Sequence, residues 1–349
     1  MLLVRAPMRI SFGGGGTDLE AYYGRFGGVV ISTAINKYFY TIIEAAATDE
    51  LQIISADYRS LFRHAPFDAL SWDGDLALPK AVCHHFGIRG GLNLFLAGEV
   101  PPGTGLGSSS SAAVALVRAF STLLELPMSK QQVAELASSI EIEKMGMPIG
   151  KQDQYASAFG GLNKISFTAD GVTVTPLQIA RETYWTLERR LLLFFTGRSR
   201  LSTSILKQQR TSTEQNDVMV LQALHHIKEG ALQMQECLES GDLERFARLL
   251  HYAWQEKRCL APGLSSSFID ECYELALQRG ALGGKITGAG GGGFLLLYCP
   301  EEAQEAVTLA LEQQGLQRMN FRFDRQGAAV ILNVSSGYDH LRVQPYEHE

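Results

Sequence analysis

Residues 101–113 read PPGTGLGSSSSAA. Gly103, Gly105 and Gly107 alternate behind a proline pair, and Ser108, Ser109, Ser110 and Ser111 then open an apolar run, residues 112–124, with helical spacing. A short strand pattern, residues 92–96, comes before it. Glycine lets backbone approach an anion closely and take positive φ. The N-terminus of the following helix offers unspent N–H groups and the positive end of its dipole, so the stretch predicts a phosphate loop. Its serines can cap the helix, hold a phosphate oxygen or ligate Mg²⁺. A Walker loop is excluded because the Gly-Lys-Ser/Thr ending is absent. The glycine spacing is also wrong for a dinucleotide loop. A plain serine-capped core helix would leave the three alternating glycines without a purpose.

Two further clusters lie outward from this one. Residues 283–294, GGKITGAGGGGF, carry seven glycines ahead of an apolar strand. So many would weaken a merely structural turn, and a loop that lets a ligand approach explains them better than a hinge. Residues 6–18, APMRISFGGGGTD, set Arg9 and Asp18 on either side of four glycines. The chain holds 35 glycines in 349 residues, against the roughly 24 of an average composition, and these three clusters account for the excess.

The rest of the composition narrows the class. The net charge of −6 argues against nucleic acid or a membrane surface as partner, since both favour a basic face. Five cysteines without a CxxC pair read as reduced thiols of a cytoplasmic protein. Arg5 and Pro7 interrupt any signal-peptide core, and no run approaches a membrane span. Strands are expected over 9–12, 28–35, 38–46, 165–167, 172–175, 191–195, 294–298 and 328–334. Helices are expected from a capping box at Ser129 and Gln132 to about Lys144, over 205–258 with a break at Ser240-Gly241, over 268–279, and from Pro300 to about Gln314. Strands and helices mix without a βαβ rhythm, which predicts an α+β fold of two-layer domains.

PPGTGLGSSSSA resembles the central phosphate-binding motif of the GHMP small-molecule kinases, KITGAGGGGF their C-terminal glycine motif, and APMR at 6–9 the opening of their first motif. Residues 146–161, GMPIGKQDQYASAFGG, are similar to the galactokinase stretch that carries its catalytic aspartate. Within the family, GGGGTD, GKQDQYASAFGG and GAGGGGF together most resemble the D-glycero-D-manno-heptose 7-phosphate kinases. The resemblance runs over nearly the whole chain. It implies a two-domain fold: residues 1–185 like ribosomal protein S5 domain 2, residues 186–349 ferredoxin-like, with ATP and acceptor in the cleft between. It also implies phosphorylation of the anomeric hydroxyl of the heptose 7-phosphate to the 1,7-bisphosphate, for the nucleotide-activated heptose of surface polysaccharide.

Carried over residue by residue, the resemblance makes Asp153 the aspartate that accepts or orients the acceptor's proton. Arg9 and Lys151 are its cationic neighbours. ATP would lie on Pro102, Gly103, Gly105, Leu106, Gly107, Ser108, Ser109, Ser110 and Ser111, and on Gly288, Gly290 and Gly291. Mg²⁺ would be held by Glu141, with Glu143 as competitor, and by a serine, Ser109 first among the four. Asp18 matches the galactokinase aspartate that contacts sugar hydroxyls. The Glu-His before it in galactokinase is replaced by Gly15 and Gly16, which opens space or admits backbone N–H groups, and Thr17 stands beside them. Arg198, Arg200 and Lys207 are the candidate partners of the sugar's own phosphate. The expected partners are therefore a small sugar phosphate and ATP, with a homodimer left open.

Three other readings stand beside this one: a kinase for an unphosphorylated hexose, a sugar and ATP sensor without turnover, and an ATP-dependent decarboxylase of the same superfamily. Asp153→Asn separates enzyme from sensor. Phosphoryl transfer, followed as ADP release, should vanish while ATP binding survives; unchanged turnover would remove Asp153 from its role.

Overall fold

Even-numbered residues from Leu2 to Phe12 are apolar and buried, and they form one side of strand β1 (Leu2–Gly13). Strand alternation places Arg9 and Ser11 together on its other side. In the computed structural model the described residues are all except 47, 58, 65–70, 75, 198–202, 259, 261–262, 335–341 and 344–349. After β1 come α1 (Glu20–Phe26), β2 (Gly28–Ala45), β3 (Leu51–Ser55), β4 (Ser60–His64), α2 (Ala77–His85), β5 (Ile88–Gly90) and β6 (Leu92–Gly98). Next are α3 (Ser108–Leu123), α4 (Lys130–Ser139), α5 (Gln152–Phe159), β7 (Leu162–Thr168) and β8 (Gly171–Pro176). The second half has α6 (Arg181–Arg190), β9 (Leu191–Phe195), α7 (Thr203–Glu214), α8 (Val218–Ser240), α9 (Leu243–Arg258) and α10 (Ser267–Gln278). It closes with β10 (Gly283–Ile286), β11 (Phe294–Tyr298), α11 (Gln304–Gln313), β12 (Gln317–Arg318), β13 (Ala329–Asn333) and β14 (Arg342–Val343).

The architecture is mixed α and β, as expected. The large sheet runs β13-β1-β2-β6-β3-β4, and the hairpin β7-β8 joins it through β2. Strand β2 carries most of the order. Its first half pairs with β7, its second half with β6, and its middle, residues 31–43, with β1. The small antiparallel sheet runs β10-β11-β9-β12. The chain crosses back over the expected division at 185/186. Strand β13 leaves the second half to pair with β1, and Phe323 forms an isolated bridge with Ile35.

Three local readings change. The pattern at 28–46 is one 18-residue strand rather than two. Its register against β1 shifts between Pro7 and Met8, which absorbs Asn36 and Lys37 as a bulge. The helical run 205–258 breaks a second time at 215–217. Asn216 takes φ 57°, and Asp217 then caps α8 by accepting from the N–H groups of Met219 and Val220. The helix expected to reach Lys144 ends as a π turn, Ile140–Lys144, in which Met145 N–H donates to the carbonyl of Ile140 at 3.0 Å. The wider turn turns Glu141 inward, where it is 1% exposed, and such turns recur at functional sites.

Two cores meet along β1. Leu2, Val4 and Ala6 pack with α3, α4 and α5, whereas Met8, Ile10 and Phe12 pack with α8, α9, β9 and β11. The second core spans both halves. Phe246 of α9 meets Phe12 of β1 edge to face at 5.4 Å and lies beside Tyr298 of β11. Phe246→Ala should therefore cost about 3–5 kcal/mol. Both halves should unfold in one transition, seen by calorimetry and by the fluorescence of Trp72 and Trp254 together. Two separate transitions in the parent protein would show that this core does not couple them.

Candidate active site

All three glycine clusters meet at one cleft. Its walls include Gly15 and Gly16 after β1, Gly103, Gly105 and Gly107 before α3, and Gly288, Gly290 and Gly292 between β10 and β11. The second and third loops touch: a Cβ on Gly288 would lie 2.4 Å from the Cα of Gly105, and both residues have positive φ. Only glycine fits either position. Helix α3 starts directly after Gly107, and no side chain caps it. Ser111 is committed elsewhere, donating to the carbonyl of Pro7 at 2.9 Å. The first-turn N–H groups thus face the cleft without a side-chain acceptor, as an anion site requires.

Arg9 and Asp153 form a two-pronged ion pair. Nε donates to Oδ1 and Nη2 to Oδ2, both at 2.8 Å, and Nη1 donates to the carbonyl of Gly105 at 2.6 Å. The pair joins β1, the phosphate loop and the first turn of α5. Asp18 accepts from Gly16 N–H at 2.8 Å and from Gln152 Nε2 at 2.9 Å. Burial pushes its carboxyl above the usual range and Asp153 adds to the push, while the Gly16 and Gln152 hydrogen bonds oppose it. Glu141 accepts from Ser109 Oγ at 2.8 Å and from Gln154 Nε2 at 2.6 Å; burial raises its carboxyl too. Glu143 is exposed and accepts from Ser139 Oγ, so the cleft-facing glutamate is Glu141.

The acceptor side is polar and incompletely satisfied. Ser11 Oγ, Gln152 Oε1 and Gln209 Nε2 are buried without a hydrogen-bond partner among the described residues, and all three residues line the cleft. A Cβ on Gly16 would come within 2.5 Å of Gln209 Nε2, so the small residue at this position admits the glutamine. Buried polar groups are normally paired, so three orphans at one wall point to a ligand carrying several hydroxyls.

The structure brings most sequence-predicted residues together and leaves others apart. Arg9, Asp18, Glu141 and Asp153 line the cleft, with Gly15, Gly16, Gly103, Gly105, Gly107, Ser108, Ser109, Ser110, Gly288 and Gly290. Pro102, Leu106, Ser111, Gly291 and Thr17 do not. Leu106 is fully buried core, Gly291 spends its N–H on the carbonyl of Leu264, and Thr17 donates to the carbonyls of Gly14 and Val29. Lys151 lies over the Tyr23 ring, 5.7 Å from its centroid, in a side groove that also holds Arg210. Lys207 is exposed; Leu206 and Gln209 are the residues of α7 that reach the cleft. Arg198 and Arg200 lie outside the described residues.

Two buried lysines in the cleft were missed, Lys257 and Lys285. A signal existed for the first. Along α9 the buried stripe Phe246, Leu250, Ala253 and Trp254 continues to Lys257, a charge where the pattern calls for an apolar residue. Lys285 stands at the head of the third glycine cluster and donates to the carbonyl of Phe12 at 3.1 Å.

Comparison with known proteins bears on the family and the fold. Residues 76–161 match the GHMP kinases N terminal domain and residues 234–316 the GHMP kinases C terminal domain. The chain is 30% identical over 330 residues to a D-glycero-alpha-D-manno-heptose 7-phosphate kinase of Campylobacter jejuni, covering 93% of this chain and 96% of that one. It is 26% identical to a galactokinase of Pyrococcus furiosus over 92% of this chain and 95% of the other. A solved D-glycero-D-manno-heptose 1-phosphate kinase of Bacteroides thetaiotaomicron superposes with a TM-score of 0.79 at 29% identity, covering 96% of this chain and all of that one. The chain belongs to the GHMP kinases and has their two-domain fold.

Gly150 gives a test of the acceptor wall. A Cβ there would lie 1.9 Å from Asp18 Oδ2. Gly150→Ala should displace Asp18 and raise the acceptor KM at least about tenfold, the worth of one charged hydrogen bond, with nucleotide affinity unchanged by calorimetry.

Proposed function

We propose that this protein transfers the γ-phosphoryl group of ATP to the anomeric hydroxyl of D-glycero-D-manno-heptose 7-phosphate. The observation that carries the reading is the wall of orphaned polar atoms, Ser11, Gln152 and Gln209, beside Asp18 and within the same cleft as Asp153. A polyhydroxylated acceptor would satisfy them. The heptose itself is supported by the likeness to the Campylobacter enzyme.

The roles follow from the geometry. Asp18 and Gln209 would hold ring hydroxyls, leaving the anomeric hydroxyl toward Asp153. Asp153, fixed by Arg9, orients that hydroxyl and receives its proton as the oxygen attacks phosphorus. Arg9 balances charge that builds on the transferring group. The phosphates of ATP would rest on the N-terminus of α3 and on the two touching glycine loops. Glu141 and Ser109 fit Mg²⁺. A buried carboxylate without a cationic partner among the described residues stands beside a serine hydroxyl at the phosphate loop. Among the described residues no larger acidic or histidine cluster could hold a metal, and Mg²⁺ takes only one or two protein oxygens when phosphates supply others. When bound, the ion offsets phosphate charge.

The test is a panel of hexoses and heptose 7-phosphates with Mg-ATP, read as ADP release, with the product position read by phosphorus NMR. The heptose 7-phosphate should exceed the hexoses in kcat/KM by about ten- to a hundredfold, the value of one charge-assisted contact to its phosphate. Equal turnover of a plain hexose would overturn the substrate, and silence across the panel would overturn the kinase.

A further inference from the structure

We infer that Lys257 is a catalytic residue: its ammonium group leaves the carbonyl of Gly288 and binds the γ-phosphoryl group of ATP during transfer, which makes the cleft select triphosphate over diphosphate. The inference rests on the reading of this cleft as an ATP-dependent kinase and adds a residue that neither the family motifs nor the ion pair at Arg9 supplies.

Three observations support it. First, Lys257 is 8% exposed and lines the cleft, and among the described residues its hydrogen-bond partner is one backbone carbonyl, that of Gly288. A carbonyl dipole does not by itself repay the burial of an ammonium ion, so an anion that reaches it in the cleft is a better partner than the carbonyl. Second, the carbonyl belongs to the glycine that touches Gly105, so the ammonium stands where the two phosphate loops converge. Third, the charged groups that bear on it are those of the transfer point: Arg9 from β1, Asp153 from α5, Asp18 after β1, and Lys285 from β10. The cation therefore lies near Arg9, Asp153 and Asp18, where the proposed function puts the transferring group. Lys285 differs. It is tied to the carbonyl of Phe12, and the charges bearing on it are Lys257 and Arg9, both cations, with no carboxylate among them.

The titration of Lys257 agrees in sign. Burial, and then Arg9, pull its ammonium down to about 8, while Asp18 and Asp153 hold it up. Below that value the cation is present; above it the proton, and with it the phosphate contact, is lost. A bound phosphoryl oxygen favours the charged form and raises the value again, so nucleotide binding near pH 8.5 takes up a proton.

The experiment uses the full chain with Mg²⁺ and compares a β,γ-imido analogue of ATP with ADP by titration calorimetry, for the parent, Lys257→Met and Lys257→Arg. The methionine variant should weaken the analogue at least about tenfold and leave ADP within about twofold, and the arginine variant should keep most of the preference. In transfer assays the methionine variant should lower kcat by about a hundredfold or more, with the acceptor KM little changed. Equal weakening of both nucleotides would reduce Lys257 to a loop support and overturn the inference, as would no change or a change confined to the acceptor KM. If the methionine variant does not fold, the parent decides. Between pH 7 and pH 9.5 the analogue should lose affinity and ADP should not, and parallel losses would overturn the inference. These binding measurements stand even if no acceptor is turned over, so failure of the kinase reading and failure of the Lys257 role give different results.

Discussion

The ion pair between Arg9 and Asp153 ties together three pieces of chain that are far apart in sequence. Arg9 comes from the first strand, Asp153 from the first turn of α5, and the remaining guanidinium donor reaches the carbonyl of Gly105. With Arg9 only 4% exposed, neither charge could stay in place alone. The pair therefore fixes the distance between the glycine loop before α3 and the first turn of α5, and the rest of the cleft is arranged around it.

Around that pair the cleft sorts its charges by task. Asp18 and Glu141 are buried carboxylates held by neutral donors, glutamine amides, a serine hydroxyl and backbone N–H groups, rather than by cations. In the proposed function they would serve a sugar hydroxyl and a metal ion. The cations Lys257 and Lys285 are held by carbonyls. In the proposed function, backbone N–H groups at the glycine loops and the start of α3 would do the remaining anion binding. A protein of net charge −6 can thus receive a polyphosphate, because the favourable groups are local and mostly main chain.

Stability and catalysis share the same strands. Strand β1 contributes Met8, Ile10 and Phe12 to the core between the halves and Arg9 and Ser11 to the cleft. A shift of one residue in its pairing would exchange the two sets. Gln209 and Lys257 reach the same cleft from α7 and α9, and α9 is packed on β1 through Phe246. The geometry of the cleft is then set by packing that also joins the halves of the chain.

The residues by themselves determined what depends on local chemistry. Glycine clusters marked the three loops because few other residues take their backbone angles, strand alternation marked β1, and the APMR, GKQDQ and GAGGGG stretches identified Arg9, Asp153 and the family. The choice between Glu141 and Glu143 could not be made from a helical wheel, because the π turn changes which side each faces. Thr17, Leu106, Ser111 and Gly291 sit inside the motifs yet serve the backbone or the core, since a motif marks a stretch of chain and not the direction of each side chain. The return of β13 to the first sheet, the orphaned wall of Ser11, Gln152 and Gln209, and the placement of Lys257 were decided by the tertiary structure. Each depends on which distant surfaces are pressed together, and burial of a polar group acquires its cost and its meaning only when that packing excludes water.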